Sequence, residues 1–169
     1  MATNLSASLE DYIETIYHLV EEGAAARVKD IAERLNVRNA SVTGALHALA
    51  DKKLVNYAPY DVTTLTPRGV KVAEDVVHRH RTLRDFLEKV LGVATAEADA
   101  AACRMEHAVP AHVLERLADF VGFVEDCPRA GAEWAERFKA LDGGRIDPSQ
   151  CAECVNGFCR KFKTEEKQA

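Results

Sequence analysis

The sequence lacks the features of a secreted or membrane-spanning protein. None of its 169 residues belongs to an apolar run that approaches the ~18 residues needed to cross a bilayer. The segment Met1–Glu10 has no basic region followed by a long apolar stretch, as a signal peptide would. Its five cysteines, an odd number, fit reduced thiols or metal ligands better than a disulfide framework. We therefore expect a cytoplasmic protein without a membrane partner.

Aromatic residues are also sparse, at 7%, but 47% hydrophobic and 29% charged residues are ordinary for a folded chain. The charge is uneven. Between residues 27 and 71 there are eight Lys or Arg against four Asp or Glu, a net +4, whereas the remainder, with 14 basic and 23 acidic residues, carries −9. A basic segment in an acidic chain (net −5) is compatible with phosphate contact, and equally with an ordinary solvated surface.

Apolar spacing predicts a helix-turn-helix near the N-terminus. Leu9, Ile13, Ile16 and Val20 fall on one face of a first helix. Two short helices, Lys29–Leu35 and Asn39–Lys52, would then flank a turn at residues 36–38, with Asn39 as a candidate N-cap. Val- and Thr-rich segments at residues 54–57 and 62–65 predict a β-hairpin. A hairpin after a helix-turn-helix is a winged helix.

Further helices are predicted after the wing. Thr66 and Pro67 are suited to begin a long helix that ends near Leu91, and Thr95 would cap another that reaches Ala108. A last helix from Pro110 to Glu125 carries an apolar stripe that we expect to contribute to a dimer interface; the stripe comprises Leu114, Leu117, Val121 and Val124.

The expected fold is mainly α: an N-terminal winged helix-turn-helix (residues 1–70), an all-helical metal-binding and dimerisation domain (71–126), and a Cys-containing C-terminal tail (127–169). A short helix at Trp134–Leu141 is expected in that tail.

Six residues are candidate metal ligands. Cys103, Glu106 and His107 have i, i+3, i+4 spacing, so thiolate, carboxylate and imidazole would share one helix face. Asp11 and Glu14 are three apart on the first helix, and with His80 on the preceding long helix they would complete a mixed O, N and S shell for a divalent transition metal; that His80 lies on an apolar helical line is chemically unusual. Taken singly, each residue has a plainer interpretation as a solvated acid or a core side chain.

Four segments resemble the diphtheria toxin repressor family of metal-dependent transcriptional repressors. They are LEDYIETIYHL, VKDIAERLNVRNASVTGALHALADKKLV, LTPRGVKVAEDVVHRHRTLRDFL and AACRMEH. The resemblance extends from about Leu9 to Glu125, roughly two-thirds of the chain. The resemblance implies a homodimer that binds double-stranded operator DNA when Fe(II) or Mn(II) is bound, and it implies no enzyme activity.

The metal ligands implied by the resemblance are a hybrid of two branches. Cys103, Glu106 and His107 match the principal metal helix of the iron-responsive branch, whereas Asp11 and Glu14 look like the acidic pair of the manganese-responsive branch, and His80 is similar to a ligand in both. At the two further positions of the iron branch's ancillary site the chain has Arg84 and Asp99, which puts that site in doubt. The soft thiolate favours Fe(II), with Mn(II) as the alternative. The chain after Gly131 is too short for the SH3-like domain of long members, so the short manganese-type architecture fits better.

DNA contacts are expected at the start of the third helix, the end that normally enters the major groove. Arg38 would read guanine and Asn39 adenine, although Asn39 equally suits a capping role; Ser41 and Thr43 would bind bases or phosphate. Candidate phosphate contacts are Arg27, Lys29, Lys52 and Arg68.

The tail cysteines form a second candidate site. Cys151, Cys154 and Cys159 have C-x2-C-x4-C spacing, and Cys127 would be a fourth ligand for zinc or an iron–sulfur cluster. Unliganded reduced thiols are the alternative. Two other functions stand beside the repressor: a winged-helix regulator with a non-metal effector or with redox sensing through the tail, and an enzyme with Cys103 and His107 as nucleophile and base.

Overall fold

The computed structural model describes residues 5–126, which form a mainly helical chain with one small sheet. In order, the elements are α1 (Ala7–Glu21), α2 (Val28–Leu35), α3 (Asn39–Asp51), β1 (Val55–Asn56), β2 (Thr64–Leu65), α4 (Pro67–Asp85), a π-helical segment (Phe86–Val90), α5 (Thr95–Met105) and α6 (Ala111–Asp126). The predicted fold class, a winged helix-turn-helix followed by helices, is confirmed. None of the described helices is long and apolar enough to span a membrane.

Helix α1 is the centre of the N-terminal core. Ser6 caps it by accepting a hydrogen bond from the Leu9 amide at 3.4 Å. Ile13 and Ile16 are fully buried, and the buried face continues through Leu19, whereas Val20, expected on that face, is 47% exposed. The opposite end of the core is formed by α2, α3 and the start of the wing. Apolar packing therefore fixes α1 against the helix-turn-helix.

The helix-turn-helix is close to its predicted position. Asn36 ends α2 in the left-handed conformation with φ 52°. The residue at the N-cap of α3 is Arg38, which makes no side-chain capping bond, and Asn39 is the first helical residue. The predicted N-cap role of Asn39 is thus wrong, because the chain enters the helix one residue earlier than its polar side chain suggested.

The wing is shorter than expected. Val55 pairs with Leu65 and Asn56 with Thr64 in an antiparallel ladder of only two residues per strand. The reason is that the Thr63 amide donates to the Ala26 carbonyl at 2.9 Å and so leaves the ladder. Tyr60 lies at the tip with φ 67° and is fully exposed.

Helix α4 joins the wing to the second half of the described chain. Thr66 caps it by accepting from the Gly69 amide at 3.0 Å, and Pro67 is the first helical residue, as predicted. Gly69 packs on the backbone of Leu54, since a Cβ at Gly69 would lie 1.9 Å from the Leu54 carbonyl oxygen. The predicted continuation toward Leu91 is present, but its last turn is a π-helix.

Helices α5 and α6 pack on α4 and the π-helical segment. Leu83, Ala102 and Leu114 form one buried cluster, and Val90, Val121 and Val124 form another. Thr95 is the first residue of α5 and donates to Glu88 at 2.8 Å, so the expected capping role of Thr95 is wrong.

The apolar stripe of α6 is used within the chain. Leu114, Val121 and Val124 are at most 7% exposed, and Leu117 is half-buried. The expectation that this stripe is a dimer surface is therefore wrong. The apolar side chains that remain exposed on α6 are Val113, Phe120 and Phe123.

The expected short tail helix and the candidate cluster of Cys127, Cys151, Cys154 and Cys159 lie outside the described residues. A zinc or iron–sulfur site there remains a prediction.

Candidate metal centre

A fully buried carboxylate, that of Glu106, lies where α1, α4 and the end of α5 meet. Its Oε2 is 2.7 Å from His80 Nδ1. Its Oε1 is 3.4 Å from His107 Nε2 but takes part in no hydrogen bond among the described residues. Because an unpaired buried polar atom costs about 1–3 kcal/mol, and more if it is charged, this oxygen calls for a further partner.

Two groups of metal-binding side chains share Glu106. Asp11, Cys103 and Glu106 form one, and Glu14, His80 and Glu106 form the other; within each group the donor atoms lie within 4.8 Å of one another. His107 adjoins the first group, with Nε2 2.9 Å from Asp11 Oδ1. The structure thus brings all six residues predicted as ligands into one place.

Local structure explains why these side chains meet. Asp11 and Glu14 are one turn apart on α1, and Cys103 is on the last turn of α5. Helix α5 ends at Met105, so Glu106 is its C-cap and His107 lies just beyond it, whereas the sequence placed all three on one helix. Glu106 keeps helical dihedral angles, and its amide donates to the Ala102 carbonyl at 2.9 Å, which preserves the predicted shared face.

The centre is buried at its floor and open at one edge. The Glu14, His80 and His107 side chains are 14–17% exposed, Asp11 is 39% exposed and Cys103 is exposed. An ion could thus reach the donors past Cys103 and Asp11.

Three of the acidic candidate ligands have raised pKa values. Burial raises the pKa of Asp11, and burial together with the charge of Glu106 raises the pKa of Glu14. The pKa of the Cys103 thiol is raised by burial and then by the charge of Glu106. Each group is therefore harder to deprotonate than in water, as expected where several anionic donors converge without a cation.

The pKa values of His80 and His107 are raised as well. The hydrogen bond to Glu106 raises the pKa of His80 to about 9, although burial opposes this. Burial lowers the pKa of His107, but the hydrogen bond to Glu10 and the charges of Glu106 and Asp11 more than offset it, so that pKa is raised. Both rings therefore hold a proton more tightly than a free imidazole does, and a bound cation would compete with that proton.

The chemistry of the donors fits a divalent transition metal. Carboxylate, imidazole and thiol groups are all within reach, and the unpaired Glu106 Oε1 would be satisfied by a cation bound there.

Two further carboxylates contact the candidate ligands: Glu10, which sequence reasoning missed, and Asp99, which it noted only as a departure from the ancillary site. Glu10 Oε2 is 2.7 Å from His107 Nδ1, and Asp99 Oδ1 is 3.0 Å from His80 Nε2. The available signal was i, i+4 spacing, which places Glu10 one turn before Glu14 and Asp99 one turn before Cys103. Arg84, the other departure from the ancillary site, contacts Asp85 at 3.7 Å.

The arrangement does not favour a nucleophilic thiol. The pKa of Cys103 is raised, so less of it is thiolate at neutral pH. Both ring nitrogens of His107 face carboxylates, Glu10 and Asp11, and neither is a base for Cys103.

The candidate DNA-binding face is the start of α3. Arg38, Asn39 and Ser41 are exposed, whereas Thr43 is half-buried and donates its hydroxyl to the Asn39 carbonyl at 3.1 Å. Gly44 is also exposed, and within residues 5–126 nothing outside its chain neighbours and its own helical backbone lies within 4 Å of where a Cβ would be. This open surface allows a close backbone approach, and no tight helix packing accounts for Gly44.

The expected phosphate contacts are all exposed on the N-terminal half: Arg27, Lys29, Lys52 and Arg68. Lys29 lies 3.6 Å from Glu33, and the Arg68 guanidinium donates to the Lys52 carbonyl at 3.4 Å. These weak surface contacts leave the cationic groups accessible.

Two family descriptions match this chain. Residues 4–62 match "Iron dependent repressor, N-terminal DNA binding domain", and residues 66–135 match "Iron dependent repressor, metal binding and dimerisation domain". The gap between the two matches, residues 63–65, includes β2, the second strand of the wing.

Curated proteins include similar sequences. An uncharacterized HTH-type transcriptional regulator of Methanocaldococcus jannaschii is 35% identical over 123 residues, which are 72% of this chain and 98% of that protein. The HTH-type transcriptional regulator MntR of Geobacillus kaustophilus is 37% identical over 122 residues, 72% of this chain and 86% of that protein. Both are named as regulators, which agrees with the expected absence of an enzyme role.

Solved structures agree. The manganese regulator SloR aligns with a TM-score of 0.62 at 30% identity, over 72% of this chain and 56% of that chain. IdeR of T. acidophilum aligns with a TM-score of 0.62 at 27% identity, over 78% and 59%. A manganese-dependent transcriptional repressor in complex with manganese aligns with a TM-score of 0.64 at 31% identity, over 68% of this chain and 53% of that chain. The chain spans a little more than half the length of these structural relatives.

Proposed function

Since the chain belongs to the iron-dependent repressor family of metal-dependent transcriptional regulators, we propose that it binds operator DNA as a homodimer when Fe(II) or Mn(II) occupies the centre around Glu106. The observation that carries this proposal is the buried Glu106 carboxylate, shared by two donor groups and left with an unpaired oxygen.

The donors join the DNA-binding helices to the rest of the chain. Asp11 and Glu14 lie on α1, whose Ile13 and Ile16 pack in the core with the helix-turn-helix. His80 is on α4, and Glu106 ends α5. A divalent cation would supply positive charge among carboxylates that otherwise repel one another. Asp11 and Glu14 would then hold α1, and with it α3, in one position relative to α4 and α5.

Metal binding and DNA binding would strengthen each other if the metal-bound position of α1 and α3 is the one that fits the operator. A typical coupling free energy of ~1–3 kcal/mol corresponds to an increase of about 5- to 150-fold in operator affinity. Anaerobically purified protein should bind its operator more tightly with Fe(II) or Mn(II) than with chelator, as measured by fluorescence anisotropy. Equal affinities in the two conditions would contradict the repressor mechanism.

Dimerisation would place two recognition helices on one operator. The second family match covers a region described as a dimerisation domain. On the described surface of α6, Phe120 and Phe123 stack with ring centroids 6.5 Å apart and are 40% and 55% exposed. We assign the dimer contact to this aromatic face, together with Val113 on the same helix.

Mutations should distinguish side chains that read bases from side chains that contact phosphate in any sequence. Arg38→Ala removes a side chain at the exposed start of α3 and should change base preference, with a cost of about 1–3 kcal/mol on the preferred operator. Lys29→Ala should weaken all sequences alike and reduce the salt dependence by about one phosphate contact. Binding to operator and scrambled DNA over a range of salt concentrations tests both. Equal losses on both DNAs for Arg38→Ala would exclude it from base reading.

The preferred metal depends on Cys103. The group that contains its thiol favours Fe(II), whereas the Glu14, His80 and Glu106 group offers only oxygen and nitrogen. We therefore propose Fe(II) as the physiological metal. The alternative is Mn(II), since manganese is named for the relative SloR and for a manganese-dependent transcriptional repressor.

Replacing Cys103 by Glu should shift the preference from Fe(II) toward Mn(II). The expected shift is about tenfold, equivalent to ~1.4 kcal/mol, because an oxygen donor no longer rewards the softer ion. Competition between the two ions under anaerobic conditions measures it. Cys103→Ser is the matched control, as it removes sulfur without adding a carboxylate. An unchanged ratio in the Glu variant would overturn the iron assignment and leave the repressor mechanism intact.

A further inference from the structure

Both candidate ligand histidines are held between two carboxylates, one inside the donor groups and one outside them. The inner contacts are His107 Nε2 with Asp11 and His80 Nδ1 with Glu106. The outer contacts use the opposite ring nitrogens, His107 Nδ1 with Glu10 and His80 Nε2 with Asp99. The two rings are therefore oriented in opposite senses.

The outer contact of His107 is well anchored. Glu10 is on α1, its side chain is 12% exposed, and its Oε2 is 2.7 Å from His107 Nδ1. The same oxygen forms a salt bridge with Arg79 Nη2 of α4 at 2.8 Å. Glu10 is thus positioned between the Arg79 guanidinium and His107, where its carboxylate can accept the Nδ1 proton of the imidazole. His107 Nε2 then faces Asp11 and Glu106.

The outer contact of His80 is more open. Asp99 lies one turn before Cys103 on α5, with a side chain 57% exposed, and its Oδ1 is 3.0 Å from His80 Nε2. His80 Nδ1 faces Glu106 Oε2 at 2.7 Å. An acidic residue at this position thus contacts the ligand from behind and does not enter either donor group.

We propose that Glu10 and Asp99 are positioning residues that fix the two histidines in opposite tautomers, so that His107 binds the metal through Nε2 and His80 through Nδ1. A neutral imidazole has one N–H and one lone pair, and a carboxylate that accepts the N–H directs the lone pair to the opposite side of the ring. This inference rests on the proposed metal centre and adds the two residues that orient its imidazoles.

Metal affinity and stoichiometry separate positioning from ligation. Glu10→Gln should weaken Mn(II) binding about 10- to 100-fold without changing the number of ions bound, because both imidazoles remain. Asp99→Asn should give a smaller loss, near the lower end, because Asp99 is more exposed. Glu21→Gln on α1 and Glu97→Gln on α5, both exposed, are the matched controls. Free Mn(II) measured by electron paramagnetic resonance at constant pH gives affinity and stoichiometry.

The ring nitrogens are observed directly in protein with 15N-labelled histidine loaded with 113Cd(II). We expect coupling from cadmium to Nε2 of His107 and to Nδ1 of His80, with the N–H on the opposite nitrogen of each ring. The same ligating nitrogen in both rings would overturn the proposal. So would affinities of Glu10→Gln and Asp99→Asn within about twofold of their controls.

Failure of the metal centre itself gives a different result. Wild-type protein that binds neither Mn(II) nor Cd(II) would overturn the proposed function and this inference together. Wild-type binding that persists unchanged in both variants would overturn the inference alone. Circular dichroism checks folding, and the exposed position of Asp99 makes Asp99→Asn a valid test if the more buried Glu10→Gln fails to fold.

Discussion

Glu106→Gln is expected to abolish the metal response of operator binding. Both donor groups include Glu106, so this one change removes the shared anionic ligand from each, whereas a change at Asp11 or Glu14 affects only one. The variant should bind operator with and without Fe(II) or Mn(II) at the same weak affinity, 5- to 150-fold below the metal-loaded wild type. Operator binding with added metal or chelator measures the loss.

The control for this variant is Glu115→Gln, an exposed carboxylate on α6 outside the metal centre. It should retain the full metal response. A Glu106→Gln protein that still responds to metal would show that the shared buried carboxylate is not required, and the proposed switch would be wrong.

The Glu106→Gln variant can also be tested without metal, through the pH dependence of its stability. His80 has a pKa raised to about 9, chiefly by its hydrogen bond to Glu106. Protonated His80 therefore contributes stability that is fully present below pH ~6.5, its ordinary pKa, and is lost as pH rises through about 9. Glu106→Gln should lower the pKa of His80 and reduce this loss. Chemical denaturation of metal-free protein between pH 6 and 10 measures it.

Phe123→Glu is expected to convert the proposed homodimer to a monomer and to lower operator affinity by about 10²–10⁴-fold. Phe123 is 55% exposed on α6 and stacks with Phe120, whose ring lies 6.4 Å from that of Phe86. A charge in the centre of this aromatic face could not be buried against a second copy without a large penalty. Loss of the dimer removes the effective-concentration gain of two linked half-site contacts.

Sedimentation equilibrium and binding to full and half operators test this prediction. The monomer should bind one half-site as the wild type does, and only the full operator should show the loss. Val20→Glu, which charges an exposed apolar position on α1, is the control. A Phe123→Glu protein that remains dimeric would show that the contact lies elsewhere.

Local periodicity explains which parts of the fold were predictable. The four-, three- and four-residue spacing in α1 predicted its buried face through Ile16, and Thr66–Pro67 predicted the start of α4, because both signals involve neighbours along the chain. The N-cap of α3 and the length of the wing strands were predicted less accurately. The ends of these elements depend on contacts with distant residues, such as the hydrogen bond from Thr63 to Ala26.

The sequence predicted which residues form the candidate site but not how they are arranged within it. Spacing places Asp11 with Glu14 and Cys103 with Glu106 on shared helix faces, as the structure has them. Spacing cannot show that Glu106 is fully buried and shared by two groups, since its burial results from the meeting of α1, α4 and α5. The contacts of Glu10 with His107 and of Asp99 with His80 were missed for the same reason.

The sequence by itself determined the helical winged class, the basic segment at residues 27–71 and the six candidate metal-binding side chains, because composition, short-range spacing and motif resemblance carry that information. Only the tertiary structure decided which apolar side of α6 is buried, since Leu114 and Val121 are covered by α4 and the π-helical segment, while Phe123 is left exposed. It also decided which nitrogen of His80 and His107 faces the donor groups. Both result from packing between elements that are far apart in the chain. The spacing of residues along the sequence carries no information about such contacts.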